Sequence, residues 1–112
     1  MPEISLDHLY RETHHWDASV AWWQRLGFSF AEQWGEVPHR AGRLVNEHCV
    51  VVLAEVSPDQ RVRESVFLAT SDLDAVSEVT GVAIAETHWG TTMVSLTDPD
   101  GRTYNIEPGG DA

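Results

Sequence analysis

The stretch "GFSFAEQWG", Gly27 to Gly35, recurs with one residue inserted as "GVAIAETHWG", Gly81 to Gly90. Each copy opens on Gly, sets apolar residues at alternate positions, passes through Ala-Glu and closes on Trp-Gly. Alternation of this kind predicts a strand. Both copies follow a short apolar-periodic segment that ends at the opening glycine, so they mark the same place in two copies of one module.

The elements around each copy agree. Before the first, Ile4 to Tyr10 alternates and sets Ile4, Leu6, His8 and Tyr10 on one face of a strand. Asp17 is placed to cap a helix over residues 18–26, in which Ser19, Trp22, Trp23 and Leu26 share a face and Gly27 is the stop. Trp22 and Leu26 are the residues expected to bury against the sheet. After the copy, "RAGRLV" and the β-branched run "CVVVLAEV" read as two more strands, with "VPHR" as a turn. The polar, Pro-containing "SPDQRVR" is a linker, and the order begins again. "SVFLAT" is a strand, Asp72 a cap, and Leu73, Val76 and Val79 a helical stripe ended by Gly81. "VAIAET", "TTMVSL" and "TYNIE" are strands, the last two joined by Asp98-Pro99-Asp100-Gly101. The reading is an α+β chain of two β-α-β-β-β modules. It forms a single domain over residues 1–112, with module one at about 1–56, a linker at 57–63 and module two at about 64–110.

Composition bounds the function. With 112 residues, 42% hydrophobic and 22% charged, the chain suits one soluble globular domain. No apolar run approaches the ~20 residues of a membrane span, no signal-peptide pattern opens the chain, and the expectation is a cytoplasmic protein. The net charge of −11 repels phosphate backbones, which argues against nucleic acid and draws in a cationic small molecule. The single Cys49 forms no internal disulfide and, inside its β-branched run, is expected to behave as a small hydrophobe. No serine elbow or phosphate-cradling glycine loop is present.

"LDHLY" in the first strand, the helix "SVAWWQRLGF", "ATSDLDAV" at the start of the second module and "TDPDGRTYNIE" at the end together resemble the vicinal oxygen chelate superfamily. That superfamily includes glyoxalase I, extradiol dioxygenases, fosfomycin-resistance enzymes and bleomycin-binding proteins, and the likeness covers nearly the whole chain. It implies curled mixed sheets around an open cup, and commonly a homodimer. In metal-using members it implies ligands on the first strand, at the opening of the fifth strand and in the eighth, with a fourth from strand four in glyoxalase I. Here those positions fall on His8, Ser65, Glu107 and, near strand four, Val52. Serine is a poor divalent-metal ligand. Glu64 is one residue out of phase and reaches the same face only if the register slips, and Glu55 lies on the wrong alternation.

Two readings follow. In the first the protein binds and sequesters a cationic or aromatic, antibiotic-like small molecule without a metal, as bleomycin-resistance proteins do. The ligand residues are then His8, Tyr10, Trp34, Phe67, Trp89, Asn105 and Glu107. Leu6, His8 and Tyr10 share one face, and Thr103, Asn105 and Glu107 share another. Phe67 gives an apolar wall, while Trp34 and Trp89, at matching ends of the repeated strands, are placed to stack on a flat ligand. In the second reading His8 and Glu107 hold Zn²⁺, Ni²⁺, Mn²⁺ or Fe²⁺ in a glyoxalase-like lyase, isomerase or dioxygenase. His14, His15 and His39 read as solvated loop residues, and His48 and His88 as strand-edge residues.

Overall fold

The computed structural model describes residues 3–109; Gly110, expected to close the second module, lies outside them. The described residues form β1 (Ile4–Thr13), α1 (Trp16–Arg25), β2 (Ser29–Trp34), β3 (Ala41–Asn46), β4 (Cys49–Glu55), β5 (Glu64–Thr70), α2 (Leu73–Thr80), β6 (Ala85–Glu86), β7 (Thr92–Thr97) and β8 (Thr103–Pro108). The chain is therefore α+β, and β-α-β-β-β occurs twice in the expected order. Ser57 to Arg63 connects β4 to β5 outside any helix or strand.

Two compact units result. An N-terminal unit comprises His8–Glu64; a C-terminal unit runs from Ser65 onward and also takes the start of β1, to Asp7. In the N-terminal unit β1 pairs with β4 in parallel, and β4 with β3 and β3 with β2 antiparallel. In the C-terminal unit β5 pairs with β8 in parallel, and β8 with β7 and β7 with β6 antiparallel. Each unit thus sets its first strand beside its fourth, then its third, then its second. This common mixed topology is what the internal repeat requires.

The N-terminal core follows from register. Leu9, Val51, Leu44 and Phe30 lie opposite one another across four strands, and opposed residues point to the same side of a sheet. With Leu53 they meet Trp16, Val20, Trp23 and Phe28. Gly42 has a steric reason to be glycine: a Cβ there would sit 2.5 Å from Phe30 Cε1 and 2.9 Å from the Glu32 carbonyl oxygen. The C-terminal core is built alike, from the row Leu68–Ile106–Val94 beneath Leu73 and Val76 of α2. Asp72 caps α2 as expected, accepting from the Ala75 N–H at 3.0 Å. Gly81 ends the helix with φ 74, the left-handed conformation glycine adopts without strain.

Four expectations are corrected. Helix α1 begins two residues earlier than a cap at Asp17 implied, at Trp16, and its N-cap residue His15 makes no side-chain cap. That start adds Trp16 to the stripe Trp16–Val20–Trp23, which is the face that packs, whereas Trp22 and Leu26 are 53% and 54% exposed. Val79 of α2 is likewise exposed, because Leu73 and Val76 already fill the contact with the sheet. Cys49 is exposed rather than packed, since it is the first residue of β4, directly after the β3–β4 turn. Of "VAIAET" only Ala85–Glu86 pairs as strand; Val82 and Ile84 pack instead against the α2 core.

Candidate functional site

Each sheet has one face against its helix and one face turned away from it, and the expected ligand residues divide by that rule. In the N-terminal unit the second face carries Tyr10, Val52, Arg43 and Glu32 as one row across the four strands. The neighbouring row is Glu12, Ala54, Ala41 and Trp34. Val45 lies opposite both Val50 and Ser29 on the same side, and His8 joins this face by alternation with Tyr10. His8 and Tyr10 are half-buried, and Trp34 is 48% exposed.

Hydrogen bonding sets what these groups offer. The Tyr10 hydroxyl donates to Glu12 Oε2 at 2.9 Å. Burial, then the bond to Glu12, pushes the Tyr10 phenol up to about 12, so it stays protonated across the ordinary pH range. The other Glu12 oxygen accepts from the Arg63 backbone N–H at 2.8 Å and from Arg63 Nε at 3.4 Å. Glu12, with only 4% of its side chain exposed, therefore ties the end of the 57–63 linker to β1 and has no oxygen left for a ligand.

On the equivalent face of the C-terminal unit, Phe67 lies opposite Asn105, and Asn105 opposite Ser95. Glu107 lies opposite Ala69 on the same side. All three expected residues are half-buried, so the register brings Phe67, Asn105 and Glu107 together. Ser95 Oγ donates to Asn105 Oδ1 at 2.8 Å, which leaves the Asn105 amide N–H groups for another acceptor. Trp89 stands apart from this face. It sits in the turn between β6 and β7, 53% exposed, edge-on to His88 with ring centroids 4.5 Å apart. Bonds between Thr87 and Thr91 close that turn.

A groove of about 340 Å³ in the C-terminal unit went unnoticed in the sequence; it is lined by Glu3, Ile4, Ser5, Ala69, Thr70, Ser71 and Gly109. None of the seven expected ligand residues lines it, and it has no aromatic wall. Its lining has no distinctive sequence signal, because it draws on three short stretches far apart in the chain: Glu3 to Ser5, Ala69 to Ser71, and Gly109.

The donor set for a divalent metal does not fit. Ser65 stands where a third ligand is needed, on the face of β5 that carries Phe67. Glu64 points to the opposite face and makes a 3.8 Å ion pair with Arg11. At the strand-four position Val52 offers no donor. Glu55 points to the other side of β4, where it accepts from Arg40 Nε and a terminal guanidinium nitrogen at 2.9 Å each. That bidentate pair draws the Glu55 carboxyl down to about 2. Among the described residues no three His, Cys, Asp or Glu side chains are grouped to hold a metal ion. Catalytic Zn²⁺ or Fe²⁺ centres ordinarily use about three protein ligands.

Comparison with solved structures gives the fold its name. A glyoxalase/bleomycin resistance protein/dioxygenase superfamily member from Vibrio splendidus matches 97% of this chain and 100% of its own, with a TM-score of 0.71 at 10% identity. This is the vicinal oxygen chelate fold. A hypothetical protein from Bacillus halodurans shares it at a TM-score of 0.68 and 12% identity, over 98% of this chain and 97% of that one. The Mn(II)-bound glyoxalase from Novosphingobium aromaticivorans matches 96% of the present chain at 0.64 and 21% identity, but the match spans only 40% of the glyoxalase chain. No family model and no curated protein sequence matches the chain. No helix among the described residues is long and apolar enough to cross a membrane.

Proposed function

We propose that this vicinal oxygen chelate chain binds an amphipathic, antibiotic-like aromatic compound without a resident metal and releases it unchanged, in the manner of bleomycin-resistance proteins. The observation that carries the reading is the replacement at the fold's chelating positions: Ser65 and Val52 stand where oxygen or nitrogen ligands are needed. The faces that hold those positions bear aromatic and hydrogen-bonding groups instead. Tyr10 and Trp34 offer ring surface beside a floor of Val52, Ala54 and Ala41. Phe67 and Asn105 offer an apolar wall beside amide donors. A face of either kind orients an organic ligand by a few polar contacts while most of its area meets apolar groups. An aromatic ring stacked on an indole or phenol face gains on the order of 1 kcal/mol beyond area burial, enough to matter when two rings engage.

The test is calorimetric titration of chelator-treated protein with a panel of bicyclic and tricyclic aromatic compounds, followed by chromatography of the recovered ligand. Saturable binding at one compound per chain, with the compound unchanged, supports the reading. Binding that appears only after divalent metal is restored, or conversion of the compound, overturns it.

A further inference from the structure

Arg43 has no evident structural purpose. It projects from the middle of β3 on the face turned away from α1, opposite Val52 on one side and Glu32 on the other. Its neighbours two residues away along the strand are Ala41 and Val45, both apolar. A terminal guanidinium nitrogen donates to Glu32 Oε1 at 3.0 Å, and the pair is solvent-accessible, with 41% of the Arg43 side chain and 63% of that of Glu32 exposed. Exposed pairs of this kind contribute between nothing and about 1 kcal/mol, so the pair does not explain a cation set in an apolar floor. Guanidinium has five N–H donors in a planar fork shaped for a carboxylate. The bond to Glu32 uses one.

We infer that the ligand of this face is an aromatic carboxylate, its ring lying over Val52, Ala54 and Ala41 between Tyr10 and Trp34, and its carboxylate held by Arg43. The inference rests on the binding reading above and specifies the ligand class. Spacing supports it. Tyr10 and Glu32 end a row of four strands, a span of roughly 14 Å at about 4.8 Å per strand, and Arg43 stands one strand in from the Glu32 end. A fused bicyclic ring reaches from Arg43 toward Tyr10 across Val52 within that span. Glu32, the more exposed partner, swings into water when the carboxylate takes its place.

The net charge of −11 favours the opposite ligand sign at long range. Salt decides between the two effects, since at physiological ionic strength exposed charges are screened beyond about 8 Å, whereas a charge-assisted hydrogen bond acts near 3 Å. The global field thus slows the approach of an anion, and the contact with Arg43 sets what stays bound.

The experiment titrates the chelator-treated protein with three probes that share one ring: 2-naphthoate, 2-naphthylmethylamine and 2-naphthalenemethanol. The expected order is naphthoate tightest, the neutral alcohol roughly tenfold weaker, and the amine weakest. Arg43→Gln removes the preference for naphthoate and leaves alcohol binding unchanged, while Glu32→Gln tightens naphthoate several-fold. Far-UV circular dichroism and a urea midpoint check that each variant is folded, and Glu32→Gln reads out the same charge logic without touching Arg43. Amine binding above naphthoate, or naphthoate affinity unaltered in Arg43→Gln, overturns the inference while the binding reading stands. No binding of any probe overturns both.

Discussion

Two tryptophans on one helix separate packing from exposure, and replacing each with alanine gives a sharp test of how the N-terminal unit is held together. Trp16 is 7% exposed, stacks on Phe30 with ring centroids 6.0 Å apart, and has the Arg40 guanidinium 5.5 Å from its ring centre. Deleting a buried indole ordinarily costs ~3–5 kcal/mol, and loss of a cation over its face adds ~0.5–1 kcal/mol. Trp22, six residues on, is 53% exposed and meets Trp23 edge-on at 4.9 Å. Its removal forfeits part of one aromatic contact, about 1 kcal/mol or less. A domain of this size is stable by only ~5–15 kcal/mol, so Trp16→Ala removes a large fraction and Trp22→Ala a small one. Urea unfolding followed by circular dichroism measures both. With a slope of ~1–3 kcal/mol per molar urea, the Trp16→Ala midpoint falls by at least about 1 M, and at the same slope that of Trp22→Ala falls by no more than about a third as much. Equal shifts, or a larger loss for Trp22→Ala, would refute the assignment of the buried face.

Asp72→Ala removes the acceptor for the Ala75 N–H and costs about 1 kcal/mol of stability by the same urea assay, while Asp72→Asn retains most of it. Gly42→Ala drives a methyl into the Phe30 ring and costs ~1–3 kcal/mol, and pairing it with Phe30→Leu recovers part of that loss. The Glu55 carboxyl is held at about 2, below its ordinary 4.5, chiefly by its bond to Arg40. A depressed carboxylate stabilises the fold fully above the ordinary value and loses that contribution as pH falls toward the folded value. Stability therefore declines between about pH 4.5 and pH 2, and the decline is shallower in Glu55→Gln. The Tyr10 phenol, raised to about 12, stabilises the fold fully below its ordinary value of 10.0 and loses that contribution as pH rises between the two. Tyrosinate absorbance in Tyr104→Phe, which isolates Tyr10, should titrate near the upper value.

Element order was legible because each boundary has a local chemical cause: Asp72 at a helix start, Gly81 at a helix end, Asp98-Pro99-Asp100-Gly101 between two strands. Alternation likewise put Asn105 with Glu107 and His8 with Tyr10 on shared faces. Features fixed by pairing were harder to read. The burial of α1 turned on two extra residues at its start, since beginning at Ala18 drops Trp16 and leaves an apparent stripe on Trp22 and Leu26. "VAIAET" alternates as a strand does, yet Val82 and Ile84 gain more by covering α2 than by extending the edge of the sheet. Cys49 follows the chemistry of its run in sequence but sits at a hairpin end in space. The place of Arg43 depends on pairing in the same way. Nothing local distinguishes it, and only the register of β2, β3 and β4 sets it in the row with Tyr10, Val52 and Glu32.

The central claim is that the metal chelate of this fold has given way here to contacts with an organic ligand. Metal content per chain, measured by elemental analysis after reconstitution with Mn²⁺, Fe²⁺, Ni²⁺ and Zn²⁺ and passage through a desalting column, tests it most directly, with Glu107→Ala measured beside the parent. The account predicts far less than one metal per chain for every ion, with no difference between the two proteins. One tightly held metal per chain in the parent, lost in Glu107→Ala, would contradict it.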